Sequence, residues 1–163
     1  MICKPIKIIT IVFLLIVSSL QLQAQNPYDI STEQALNSLQ VAKQKAEEMK
    51  VLVNIAVVDA GANLKSFVRM DNSYLGSIDV AIKKAKTARY FDIDTGMLGE
   101  LTQPGGIIYN IEHSNDGLIT FPGGVPIKNK EGKIIGAIGV SGGTIEEDRI
   151  IATAGADVLL TQN

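Results

Sequence analysis

The sequence predicts an α+β fold, a three-layer α/β/α sandwich built on a mainly antiparallel sheet of about five strands. Three observations carry that expectation. Segments of helical spacing open, divide and close the chain. The β-branched runs between them are joined by short turns rich in Gly, Asn and Asp. The first such run is apolar on both faces, as a central strand covered by helices on each side must be.

The chain starts Met-Ile-Cys-Lys-Pro-Ile-Lys, continues with an apolar stretch from Ile8 to Val17, and reaches a small residue at Ala24. This is the order of a basic n-region, a short h-region and a cleavage point, so residues 1–24 are expected to be a secretory signal peptide. The apolar run is roughly half the ~20 residues that a membrane span needs. Export to a periplasm or beyond follows from this, with no membrane span left after cleavage. Residues 25–30 read as a tether and residues 31–163 as one domain.

Within that domain, Ser31 and Gln34 make a capping-box start for a helix to about Lys50, with Ala35, Leu39, Ala42, Ala46 and Met49 as its apolar stripe. Val51 to Asp59 is a β-branched run, Asp59 to Ala62 a turn, and Asn63 to Met70 an alternating strand, which together give a β-hairpin. Gly76 to Asp92 returns to helical spacing through Ile78, Ala81, Ile82, Ala85 and Ala88, and a shorter helix spans about Thr95 to Leu101. A polar, Gly-rich loop from Gly105 to Asp116 leads to an expected strand at Leu118–Phe121. A strand at about Val125–Lys128, a turn at Asn129–Gly132 and a strand at Lys133–Val140 follow. Thr144 to about Leu160 closes the chain as a helix, with Ile150, Ile151, Ala154 and Val158 on the expected buried side. Hairpins outnumber crossovers in this order, and a profilin-like sandwich fits it.

Composition excludes several kinds of chemistry. Cys3, the only cysteine, falls in the leader, so the mature chain has no disulfide, no thiolate metal ligand and no cysteine nucleophile. Without Lys4 and Lys7 there remain 13 basic and 17 acidic side chains, a net charge of −4, and the basic ones are scattered. Nucleic acid is therefore not an expected partner. A single histidine, His113, rules out a multi-histidine metal site within one chain. No E-x-x-E pair is present to bind stray iron.

Five groups of residues can carry chemistry. His113 reads either as a solvated loop residue or as an axial ligand to haem iron, with Tyr109 or Met70 as other donors. Asp59, Asp71 and Asp79 with Arg69 read either as ion pairs at a sheet edge or as a set that orients an acidic ligand and moves a proton. Lys83, Lys84, Lys86 and Arg89 form either the wet side of the second helix or a receiver for carboxylates. The junction Val140-Ser141-Gly142-Gly143-Thr144 resembles an anion loop, yet Thr144 and Glu147 form a T-x-x-E box, and Glu146 and Asp148 add negative charge. Gly136, Gly139, Gly142 and Gly143 match no nucleotide-loop spacing.

Two segments, VNIAVVDAGANLKSFVRMDNSYLGSIDVAIKKAKTARYF and FPGGVPIKNKEGKIIGAIGVSGGTIEEDRIIATAG, resemble the GlcG/HbpS family of haem-degrading-type domains, also found attached to some corrinoid adenosyltransferases. The likeness runs from about Ile30 to Leu160 and rests on AVVDAG, R-MD, GSID-A-KKA-TA, PGGVPI and GAIGVSGG taken together. It implies a profilin-like fold, a homo-dimer or larger homo-oligomer, and haem as the ligand of several members. Asp59, Gly61, Arg69, Met70, Asp71, Ser77, Lys83, Thr87, Pro122, Gly123, Gly124, Gly142 and Gly143 stand at the family's recurrent positions. Arg69, Asp71, Ser77 and Thr87 are the polar ones expected around a ligand pocket, whereas His113 lies in a variable loop and inherits no role.

The leading expectation is thus an exported haem-binding protein with incidental haem degradation, more a binding protein than a dedicated enzyme. Its rivals are an enzyme acting on a small organic acid through Arg69 and Asp59 or Asp71, and a non-catalytic sensory or structural module. Neither a catalytic residue nor a pathway follows from the sequence.

Overall fold

The computed structural model describes residues 28–161; the expected signal peptide and the first half of the expected tether lie outside them. Helix α1 (Thr32–Met49) is followed by strands β1 (Asn54–Asp59) and β2 (Leu64–Arg69), then by helices α2 (Ser77–Phe91) and α3 (Thr95–Thr102). A 3₁₀ turn (Ile111–His113) precedes β3 (Gly124–Lys128), β4 (Ile134–Ser141) and helix α4 (Ile145–Thr161). The sheet order is β2-β1-β4-β3 and every pairing is antiparallel.

β1 and β4 are central, and β1 is buried on both faces as its apolar run predicts. Ile55 and Val57 point into a large core shared with α1 and α4, through Ala35, Leu39, Ala42, Ile151 and Ala156. Ala56 and Val58 point the other way, into a smaller core with Ala81, Ala85 and Ala88 of α2. Alternation along one strand thus creates the three layers. The second core is nearly all alanine because α2 lies directly on the sheet. A Cβ on Gly139 of β4 would stand 2.1 Å from the Ala81 carbonyl oxygen.

Four strands, not about five, make the sheet among the described residues. Leu118–Phe121 joins no ladder, because the donors of Leu118 and Ile119 are used elsewhere. The Leu118 N–H donates to the Glu112 carbonyl at 2.9 Å, and the Ile119 N–H donates to the Thr87 hydroxyl at 3.1 Å. The buried side of α4 is also rotated from the expected stripe. Asp148, Ile151, Ala152, Ala156 and Leu159 are buried, while Ile150 is exposed. Two polar anchors set that rotation: the burial of Asp148, and the Ser38 hydroxyl donating to the Gly155 carbonyl at 2.8 Å.

The α1 capping box forms in full, with the Gln34 N–H donating to Ser31 Oγ at 3.0 Å and the Ser31 N–H donating to Gln34 Oε1 at 2.9 Å. Ser31→Ala removes one half of it and is expected to cost about 1 kcal/mol in urea denaturation. No helix among the described residues is long and apolar enough to cross a membrane.

Candidate functional site

The segment from α3 to β3 reads as irregular but is built from successive tight turns. Gln103 closes α3, its side-chain amide donating to the Gly99 carbonyl at 2.9 Å. The N–H groups of Gly106, Tyr109, Ile111, His113, Ser114 and Gly117 each donate to the carbonyl three residues earlier. Asn110, Asn115 and Asp116 take positive φ, where Asn and Asp are the side chains best tolerated.

Glu112 ties this loop to the body of the domain. Thr120 donates its hydroxyl to Glu112 Oε1 at 2.6 Å, the Thr102 hydroxyl stands 3.3 Å behind Thr120, and the Glu112 carbonyl accepts from Leu118. The Thr120 hydrogen bond holds the Glu112 carboxyl below the ordinary glutamate range. Ile107 is 85% exposed and Tyr109 55% exposed, and His113 is exposed beside them in sequence. A tethered loop therefore displays a large aliphatic side chain, a phenol and an imidazole to solvent.

Between this loop and α2 lies a pocket of about 110 Å³, lined by Lys83, Lys86, Thr87, Tyr90, Asn115 and Leu118 among others. Lys83 pairs with Asp79 at 2.9 Å on its rim. Two larger, open grooves lie elsewhere. One of about 580 Å³ runs past Lys50, Leu52, Tyr74 and Gly143, and one of about 410 Å³ past Ile93, Met97, Pro126 and Leu160.

Of the four expected pocket residues, three lie between the end of β2 and the start of α2, and Thr87 lies apart from them. Arg69 is exposed at the end of β2, where its guanidinium donates to the Ser73 carbonyl at 3.4 Å. Asp71 is exposed in the following turn, and Ser77 is half-buried at the start of α2. Thr87 is fully buried ten residues further along α2, about 15 Å at the helical rise. It alone of the four lines the small pocket. The haem donors divide as well: Met70 packs against the large core on the α1–α4 side of the sheet, whereas Tyr109 and His113 share the loop beside α2 and α3. Asp59 serves its hairpin, one oxygen accepting from the N–H groups of Gly61 and Asn63, both at 2.9 Å. Among the described residues no three His, Cys, Asp or Glu side chains cluster as a metal site.

Sequence reasoning missed the most buried charge. Lys84 is 0% exposed rather than on the wet side of α2, and its ammonium donates to Asp148 at 2.8 Å and to the Val140 carbonyl at 2.9 Å. The Phe121 ring centroid is 4.7 Å away. Burial holds the lysine below its ordinary range against the pull of Asp148, and pushes the Asp148 carboxyl up against the pull of Lys84 and the Gly142 and Gly143 N–H groups. This pair joins α2 to the first turn of α4 across the end of the sheet. Gly123, at φ +118°, closes over it, and a Cβ there would stand 2.7 Å from the Lys84 nitrogen. The signal was present in the spacing, since Lys84 falls on the same stripe as Ala81, Ala85 and Ala88. The anion-loop likeness of the β4–α4 junction also dissolves here. The Gly143 N–H donates to Asp148 and the Thr144 N–H to Glu147, so the chain's own carboxylates fill the site.

Fold and surface together define a class: a three-layer domain around a four-stranded antiparallel sheet, with open grooves and an anchored, exposed loop. The chain belongs to the HbpS-like family, whose model, described as haem degrading protein HbpS-like, matches residues 30–157. A 15.0 kDa protein from the dhaT-dhaS intergenic region of Citrobacter freundii is 36% identical over 83% of this chain and 95% of its own length. The corrinoid adenosyltransferase PduO of Citrobacter freundii is 38% identical over 68% of this chain, and the match spans about a third (33%) of that enzyme. Among solved structures, Klebsiella pneumoniae ORFY superposes with a TM-score of 0.80 at 32% identity, over 86% of this chain and 97% of that one. A PduOC:haem complex gives 0.74 at 32% identity, over 78% and 92% of the two chains. A double mutant of Streptomyces reticuli HbpS gives 0.73 at 30% identity, over 83% and 90%.

Proposed function

We propose that this protein is an exported haem-binding protein that works in a periplasm or outside the cell as a homo-dimer or larger homo-oligomer. The observation that carries the reading is the anchored loop with Ile107, Tyr109 and His113 exposed, in a family with a relative solved in complex with haem.

The donor chemistry fits the group. The His113 imidazole makes no hydrogen bond among the described residues, so a ring nitrogen is available to iron, and Tyr109 is a second donor on the same loop. Ile107 and the Tyr109 ring offer apolar contact, and Lys86 on the neighbouring helix is a partner for a propionate. Haem would supply a redox-active iron when bound, and with an external reductant and peroxide incidental oxidation of the haem ring would follow. The small pocket does not enclose a porphyrin, so the reading places the ligand on an open surface that a second copy covers.

The test is a haem titration followed by absorbance on wild type and His113→Ala. Saturation near one haem per chain or per dimer is expected, with the ligand-dependent bands lost in the variant. Absence of saturable binding would remove the haem reading. It would favour a small organic acid instead, for which a pocket of about 110 Å³ beside Lys83, Lys86 and Thr87 is the better size.

A further inference from the structure

We propose that Glu112 is the positioning residue of the iron-ligand loop, holding the single turn Ile111–His113 against Thr120 so that the His113 imidazole is presented outward; this rests on the haem reading above.

The geometry carries it. A three-residue 3₁₀ turn makes too few hydrogen bonds to persist by itself, and this one projects from a loop that is mostly exposed. Glu112 grips it from both ends of the residue. Its carboxylate accepts from Thr120 at 2.6 Å, and its carbonyl accepts from Leu118 at 2.9 Å. Thr120 is itself braced by Thr102 of α3, whose hydroxyl lies 3.3 Å away and has the Gly99 carbonyl, at 3.1 Å, as its alternative acceptor. Leu118 is buried, and Ile119 is fixed to Thr87 of α2. The residue before His113 is thus tied to two helices, while His113 has no such tie. Without the Glu112 anchor the ligand would have to order its own turn on binding, an entropic cost that a pre-organised loop avoids. Losing a hydrogen bond to a charged group, as between Thr120 and Glu112, typically weakens what it holds in place by about 10–100-fold.

The experiment compares haem affinity and the ferric absorbance and EPR spectra of wild type, Glu112→Ala, Thr120→Val, Thr120→Ser and His113→Ala, with amide exchange of the haem-free proteins at Ser114 and Leu118. Glu112→Ala and Thr120→Val are expected to weaken haem about 10–100-fold and to move the spectra toward those of His113→Ala. Thr120→Ser, which keeps the hydroxyl, is expected to match wild type, and a wild-type thermal melt of the haem-free valine variant separates loss of the hydroxyl from misfolding. Faster exchange at Ser114 and Leu118 with unchanged affinity and spectra would reduce Glu112 to a structural tie and overturn the proposal. In that case His113→Ala still separates the two ideas. If it loses the ligand bands, the haem reading stands alone. If it leaves them intact, the ligand lies elsewhere and both assignments to this loop fall.

Discussion

Asp148→Ala is expected to lower the stability of the domain by about 3–5 kcal/mol, the cost of leaving a fully buried ammonium without its counter-charge. For a domain of this size that corresponds to a fall in Tm of roughly 10–18 °C. Lys84→Met should cost less. Removing the lysine leaves a carboxylate that still accepts from the Gly143 N–H at 2.9 Å and sits in the first turn of α4, where negative charge is favoured. Removing the aspartate leaves an ammonium with only the Val140 carbonyl and the Phe121 ring. The double variant Lys84→Met/Asp148→Ala should then be less damaged than the two single losses added together, because no unpaired charge stays buried. Urea denaturation of the four proteins measures the coupling, and strictly additive losses would mean that the pair acts as two independent residues.

The pair also bears on the loop. Phe121 and Gly123 lie over Lys84, and the Phe121 carbonyl accepts from Thr95 of α3 at 2.8 Å. The strap that returns the loop to the sheet is therefore seated on the buried charge. Weakening the pair should loosen amide protection around Ile119 before the domain unfolds as a whole, since loops with few buried contacts open first.

What the sequence makes legible follows from which forces are periodic. Alternation in β1 and the Ala stripes of α1 and α2 report the two cores, because burial on a regular element repeats with that element. The capping boxes at Ser31 and Thr144 are legible because their partners lie three residues away. Nothing local distinguishes Lys84 from Lys83 and Lys86 except its place on the stripe, and its partner is 64 residues away. The piece at Leu118–Phe121 has the composition of a strand, but Glu112 and Thr87 take two of its N–H groups and it stays out of the sheet. The candidate site was legible as a loop and as a set of donors. Their relative placing was not, since the burial of Thr87 away from Ser77 along α2, and the placing of Met70 across the sheet from His113, are products of tertiary packing.

Gly139→Ala is expected to be the other severe change, costing at least about 3 kcal/mol, the upper end of what overpacking usually does. The added methyl would meet the Ala81 carbonyl oxygen at 2.1 Å and the Ala85 nitrogen at 2.5 Å, both backbone atoms of α2 that cannot rotate away. Relief requires the helix to lift by about 1 Å, which opens gaps along the whole Ala81–Ala85–Ala88 contact because dispersion falls steeply with separation. The same lift would draw Lys84 from Asp148 and Thr87 from Ile119, so packing, ion pair and loop anchor fail together. Gly76→Ala is the matched control. It lies just before α2 with φ −63°, and nothing stands within 4 Å of the added methyl, so a gain of up to about 1 kcal/mol is expected from reduced freedom of the unfolded chain. Thermal and urea denaturation of both variants should therefore move in opposite directions. A Gly139→Ala protein as stable as wild type would show that α2 does not depend on contact with a bare backbone, and would remove the physical reason for the alanine-rich core beneath it.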